Sequence, residues 1–202
     1  FNLMENTNRN LFITGKAGTG KSYLLQYFKT HTKKRILLTA PTGLAALNIS
    51  GVTLHSIFGF DNLKESSEIK LREDKIELFK NMDVLVIDEI SMVRVDVFEK
   101  VDKILKYANK NLCPFGGKQV IIFGDVFQLP PVVKTREEQK CFSDKYGNVF
   151  FFNSNAYKNG NFECMELRQI HRQTDRVFID ILNNIREGNL SENEARILNQ
   201  HY

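Results

Sequence analysis

Short apolar runs and longer amphipathic stretches alternate along the chain. Five runs, Leu11–Thr14, Ile36–Thr39, Val84–Ile87, Val120–Phe123 and the weaker Glu163–Leu167, are β-rich and too short for helices. They show little polar–apolar alternation, which is the pattern of strands buried on both faces. Between them, Ser22–Thr30, Val95–Lys106 and Asp175–Arg186 carry apolar residues at helical spacing. This alternation predicts an α/β fold, a mostly parallel sheet with helices on both faces. Two stretches depart from it. Asp61–Asn81 is polar and helix-prone and is expected to form a small inserted subdomain at 61–81 within a single domain covering 1–202. Lys134–Gly160 holds "KTREEQK" and then the aromatic "NVFFFNSNAY", and it is expected to leave the sheet and return to pack on it.

Composition narrows this only a little. A chain of 202 residues, 42% hydrophobic and 26% charged, is enough for one sizeable core. The net charge of +4 is compatible with nucleic acid without requiring it. No apolar run approaches the roughly 18 residues of a membrane span, and no signal-peptide pattern opens the chain. Cys113, Cys141 and Cys164 are widely spaced and odd in number, which fits a reducing compartment. The four histidines form no metal-ligand spacing with them. A location in the cytoplasm or, in a eukaryote, the nucleus is expected. Phe1 in place of methionine, and the amphipathic "EARILNQHY" at the end, suggest a piece of a longer protein.

The chemistry concentrates in the loops that follow the strands. "GKAGTGKS", Gly15 to Ser22, fits a phosphate-binding loop. Backbone N–H groups must crowd around phosphate oxygens there, and Gly15, Gly18 and Gly20 remove the Cβ atoms that would obstruct them. Ala17 and Thr19 complete the loop, and the following helix turns its positive end towards the anion. Lys21 would reach the β- and γ-phosphates of ATP and Ser22 would ligate Mg²⁺. The strand in "DVLVIDEISMV" ends in Asp88 and Glu89, two carboxylates at the carboxyl edge of a parallel sheet, where α/β ligands bind. Asp88 suits Mg²⁺, and Glu89 suits the general base for an attacking water. In "VIIFGDVFQLPPV", Gln128 can donate and accept hydrogen bonds beside a γ-phosphate or its water.

Two further blocks have both a bland and a functional reading. In "LTAPTGLAALNISGVTLHSIFGF", Thr42 and the Gly43 amide could grip a phosphodiester, and His55, Phe58 and Phe60 could stack on bases. Equally, Phe58 and Phe60 could be core residues and His55 an ordinary helix residue. In "ELRQIHRQTDRVFIDILNNIREG", Arg168 and Arg172 could read phosphate, or simply form a solvated basic face.

Taken in order, "FITGKAGTGKSYLL", "TAPTGLAALNISGVTLHSIFG", "VLVIDEISMV", "PFGGKQVIIFGDVFQLPPV" and "RQTDRVFIDILNNIREG" closely resemble the first motor domain of Pif1-type superfamily 1 DNA helicases. The resemblance implies a RecA-like P-loop NTPase sheet whose five strands run fifth, first, fourth, third, second. It implies that Lys21, Glu89, Gln128 and Arg172 serve catalysis, with Gln128 coupling γ-phosphate to DNA and Arg172 touching the γ-phosphate. It places Ser22 and Asp88 on Mg²⁺, and Thr42, Gly43 and His55 on single-stranded DNA. It further implies a monomer that moves 5′ to 3′ towards duplex junctions, with roles in DNA repair, recombination and telomere maintenance. A second motor domain is implied as well, so this chain alone is expected to be poorly active. Without the resemblance, a P-loop nucleotide switch or loader acting on proteins would explain the ATP motifs equally well. A DNA-binding module with a relict nucleotide site is a third reading, opposed by the presence of Lys21, Ser22, Asp88 and Glu89 together.

Overall fold

The computed structural model describes residues 1–60, 69, 71–171 and 176–199. Its elements in chain order are α1 (Asn2–Asn6), β1 (Leu11–Gly15), α2 (Lys21–His31), β2 (Ile36–Ala40), α3 (Gly43–Asn48), β3 (Val52–Thr53), α4 (Leu54–Phe58) and α5 (Glu73–Asn81). There follow β4 (Val84–Ile87), α6 (Val95–Asn109), β5 (Gln119–Phe123), α7 (Arg136–Tyr146), α8 (Asn155–Asn159), β6 (Glu163–Leu167), α9 (Arg176–Glu187) and α10 (Glu192–Asn199). The sheet order is β3-β2-β4-β5-β1-β6, and every pairing is parallel. The five predicted strands therefore stand in the expected order. The two-residue β3, which periodicity could not register, is added at one edge.

Both faces of the sheet are covered, which accounts for strands without alternation. On β4, Leu85 and Ile87 face the cluster formed with α5, α6 and α8, whereas Val84 and Val86 face the one formed with α1, α2 and α3. On β5, Val120 and Ile122 join the first cluster, and Ile121 and Phe123 join the second. Each of these side chains is fully buried, a contribution of about 1.5–3 kcal/mol apiece before conformational entropy is charged.

The stretch 134–160 forms α7, a short 3-10 turn and α8, and it returns to the first cluster through the fully buried Phe151. Its anchor is α6. Arg94, at the N-cap of α6, chelates Asp96 through Nε (2.9 Å) and Nη2 (2.8 Å) and reaches Glu138 of α7 through Nη1 (2.6 Å). Glu99 accepts the Asn155 and Ala156 amides of α8. Asp102 accepts the Phe115 amide at 2.7 Å and an ion pair from Lys106 at 2.7 Å. Those three acids are buried, and each is bonded to a different segment.

The "PFGG" string lies where α6 turns back into β5, at the amino end of that strand and so at the opposite end of the sheet from the phosphate loop. Gly116 has φ +65, and a Cβ there would sit 2.4 Å from the Leu105 carbonyl oxygen. This glycine serves helix–turn packing. Of the 61–81 stretch, residues 73–81 form α5, whose Phe79 packs in the core; 61–68 and 70 lie outside the described residues. Among the described residues, no helix is long and apolar enough to cross a membrane. The three cysteines are exposed free thiols.

Candidate active site

The phosphate loop leaves β1 in the interior of the sheet and enters α2. At Gly15, φ is +151 and a Cβ would lie 2.5 Å from the Leu167 carbonyl oxygen and 2.7 Å from Thr19 Oγ1. The absent side chain at this position thus permits β1 to approach β6; it does not clear a path for phosphate, as the motif alone suggested. Gly20 is different. It is the N-cap of α2 with φ +92, and a Cβ there would meet nothing within 4 Å, so the space beside it is open. Gly18 also has positive φ (+78). Thr19 is buried and its hydroxyl donates to the Lys16 carbonyl at 2.8 Å. Lys21 Nζ donates to the carbonyls of Gly15 (2.6 Å) and Lys16 (3.1 Å). Burial holds the Lys21 ammonium below its ordinary pKa, against the opposing pull of Asp125, Glu89 and Asp88. Ala17 and Ser22 are exposed and line the same cleft.

β4 delivers the two acids. The Asp88 amide donates to the Thr39 carbonyl at 2.9 Å, which extends the β2–β4 pairing by one step. Burial, reinforced by Glu89, raises the Asp88 carboxyl to about 6, although the Glu89 amide and Lys21 act against the rise. Glu89 adopts φ 52 and ψ 45, a left-handed conformation that costs a non-glycine residue about 1–2 kcal/mol. Backbone strain of this kind collects at functional sites. The turn directs Glu89 into a cleft of about 480 Å³ shared with Lys21, Ser22 and Gln128.

Gln128 arrives from β5. The turn before it is organised by Asp125, whose carbonyl accepts the Gln128 amide at 2.9 Å and whose Oδ1 accepts the Phe127 amide at 3.2 Å. The Asp125 carboxylate is fully buried and receives Arg186 of α9 through Nε and Nη2, both at 2.9 Å. The Arg186 guanidinium also lies 4.1 Å from the centroid of the Phe127 ring. One residue on, Glu187 approaches Lys16 of the phosphate loop at 3.8 Å. A second cavity of about 480 Å³ lies between α9 and these loops, and Gln128 and Ala17 line both spaces.

Sequence reasoning did not single out Arg186, Glu187 or His171 and gave Asp125 no role. His171 lines the cleft that holds Lys21 and Glu89, and its amide donates to the Gly18 carbonyl at 2.9 Å, so the chain beyond β6 props the phosphate loop. For Arg186 and Glu187 the signal was the string "NNIREG" at the end of an amphipathic helix; Asp125 and His171 lay within the strings quoted for Gln128 and Arg172.

The structure thus brings Lys21, Ser22, Glu89 and Gln128 around one cleft, with Asp88 in electrostatic contact with Lys21 and Glu89. Thr42, Gly43 and His55 emerge from the carboxyl ends of the adjacent strands β2 and β3. Thr42 caps α3 by accepting the Ala45 amide at 3.2 Å, and a Cβ on Gly43 would meet nothing within 4 Å. His55 is exposed and touches the Phe60 ring edge-on at 5.3 Å. Phe58 and Phe60 are buried, so the core reading holds for both. Arg168 is exposed and pairs with Glu166 at 3.0 Å. Arg172 lies outside the described residues.

Comparison with known proteins agrees with this geometry. The model of the PIF1-like helicase family matches residues 2–196. The ATP-dependent DNA helicase PIF1 of Candida albicans is 41% identical over 199 residues, covering 93% of this chain and 22% of that protein. The solved Pif1 helicase from Bacteroides in complex with ADP-AlF3 and single-stranded DNA superposes with a TM-score of 0.90 at 45% identity, covering 98% of this chain and 47% of that one. A solved assembly of two coordinating Pif1 helicases at forked double-stranded DNA gives a TM-score of 0.90 at 44% identity, covering 98% of this chain and 48% of that one. The chain spans about a quarter of the length of the curated relatives it matches and about half of the solved chains.

Proposed function

Because the chain belongs to the PIF1-like helicase family, we propose that it is the first motor domain of an ATP-dependent DNA helicase, which couples ATP hydrolysis to 5′-to-3′ movement on single-stranded DNA. One observation carries the reading. Lys21, Ser22, Glu89 and Gln128 come from three separate strand ends and line one cleft at the carboxyl edge of the sheet.

In this reading the amides of Gly18, Thr19 and Gly20 and the open space beside Gly20 receive the phosphates. Lys21 exchanges its bonds to the loop carbonyls for β- and γ-phosphate oxygens. The donor set fits Mg²⁺: one hydroxyl, Ser22, and one half-buried carboxylate, Asp88, suit an ion that keeps several waters and takes phosphate oxygens as further ligands. Bound there, Mg²⁺ would neutralise charge on the phosphate oxygens. Glu89 orients the attacking water and accepts its proton. Gln128 senses the γ-phosphate, and Arg172 is assigned to the same group from the family pattern. A second motor domain would supply a further arginine across the cleft; a missing arginine of this kind lowers phosphoryl-transfer rates by about 10³–10⁵.

Thr42, Gly43 and His55 are assigned to the DNA track. The DNA-bound Bacteroides relative supports single-stranded DNA as the partner, and the forked complex supports junctions, with two copies at one fork. The working compartment is then the one that holds the DNA. The test is ATP turnover by the full-length protein with and without single-stranded DNA, together with displacement of a strand from 5′-tailed and 3′-tailed duplexes. Stimulation by DNA and unwinding of the 5′-tailed substrate are expected; turnover indifferent to DNA would overturn the reading.

A further inference from the structure

We propose that Arg186 is a positioning residue for ATP hydrolysis, which acts through the buried Asp125 carboxylate to hold the turn that presents Gln128. The inference rests on the role given to Gln128 above and extends it to a helix that does not line the ATP cleft.

Asp125 is 0% exposed, and a carboxylate so placed needs a partner that satisfies both oxygens. Arg186 supplies a two-pronged bond, Nε to Oδ2 and Nη2 to Oδ1, each 2.9 Å. A planar fork of this kind fixes the carboxylate's orientation as well as its charge. The oriented carboxylate in turn takes the Phe127 amide on Oδ1 at 3.2 Å, and the Asp125 carbonyl takes the Gln128 amide at 2.9 Å. The Phe127 ring, 58% exposed, is held by the guanidinium 4.1 Å from its centroid. Gln128 follows directly and, with Ala17, lines both cavities.

Arg186 lines the outer cavity and not the ATP cleft, so apart from the pull of its charge on Lys21 its influence on the reacting phosphate passes through Asp125 and the turn. The neighbouring Glu187, 3.8 Å from Lys16, joins the same helix end to the phosphate loop. The carboxyl end of α9 therefore sets the position of the γ-phosphate sensor relative to the phosphate loop. A lysine at position 186 would keep the charge but lose the fork and most of the stacking on Phe127.

The test is a double-mutant cycle on DNA-stimulated ATP turnover by the full-length protein. Arg186→Gln is expected to lower kcat about tenfold or more while KM for ATP stays within about twofold, because the phosphate loop itself is intact. Arg186→Lys should recover only part of that loss. The variant Arg186→Gln with Gln128→Ala should be no slower than Gln128→Ala alone, since nothing remains to be positioned. Fluorescent-ADP binding and thermal melting verify that each variant is folded; if Arg186→Gln is not, Arg186→Lys with Gln128→Ala completes the same cycle. Losses that multiply in the double variant would overturn the proposal, as would a raised KM with unchanged kcat or full activity in Arg186→Lys. A parent protein whose turnover ignores DNA would overturn the helicase reading itself, whatever the Arg186 variants do.

Discussion

Replacing Asp88 by asparagine should make the nucleotide-free protein more stable while removing its activity. Burial raises the Asp88 carboxyl to about 6 from an ordinary 3.8. Between those values the folded protein holds a proton that the unfolded chain has released. Stability therefore falls as pH rises through that window, and ionised Asp88 remains a cost above it. A rise of that size corresponds to about 3 kcal/mol. Water reaching the half-open cleft brings the expected gain down to about 2 kcal/mol, or about 4–8 °C in Tm for a domain of this size. Asparagine keeps an oxygen to accept the Glu89 amide, so the backbone turn has no reason to change. The assay is thermal melting by circular dichroism, wild type against Asp88→Asn, without nucleotide or Mg²⁺. The variant should melt higher at about pH 8, and the gap should shrink as pH falls through about 6 and close by about pH 3, below both pKa values, where both states of the wild type are protonated. Mg²⁺ with ADP should narrow the gap by stabilising the wild type alone. A variant that melts with or below the wild type at about pH 8 would refute the reasoning, as would a gap undiminished at about pH 4.

Other changes probe separate links. Gly116 and Gly59 share φ +65, but an added Cβ meets the Leu105 carbonyl at 2.4 Å in the first and nothing within 4 Å in the second. Gly59→Ala should cost about 1 kcal/mol in urea unfolding and Gly116→Ala about 2–4, and equal losses would disprove the packing role of "PFGG". Glu89→Gln should reduce kcat by about 10²–10⁴ with fluorescent-ADP affinity retained, as expected of a group that works on the water; a lost affinity would move Glu89 to ligand binding. Asp83 is held at about 2 by the Arg35 guanidinium. Its contribution should be fully present above about pH 4 and vanish towards about pH 2. Because the pair is well exposed, Asp83→Asn should lose only about 0.5 kcal/mol at neutral pH, measured by the same melts.

The strands and the carboxyl-edge chemistry could be read from the chain because each has a local signature. Val84–Ile87 and Val120–Phe123 are apolar without alternation since both faces are covered, and the loops after them must carry the ligand groups. β3 left no trace because two residues have no period. The pairing of Asp125 with Arg186 spans 61 positions, and periodicity records only which face of a helix is buried. Gly15 shows a subtler limit. Its motif predicts glycine correctly, but the atom that demands it, the Leu167 carbonyl, belongs to a strand some 150 residues away. Similarly, "PFGG" helps to identify the family yet lies away from the phosphate loop, where its glycine packs against the end of a helix. Thr42 is half-buried and caps α3, whereas the exposed Gly43 and His55 carry no structural demand strong enough to decide their role by packing alone.

The proposed motor would need a part that does not move, and α6 has the construction of a stator. Asp96, Glu99 and Asp102 lie buried along one helix: Asp96 orients the helix's own N-cap Arg94, which reaches on to α7, while Glu99 grips the amides that open α8 and Asp102 the amide of the turn into β5. Carboxylates bonded in this way resist sliding, because any shift would strand a buried charge. The strained Glu89 turn leads into the same helix, six residues before it begins. Force generated at the phosphates would then be delivered towards α9 and the Gln128 turn, while α6 and everything bolted to it holds still.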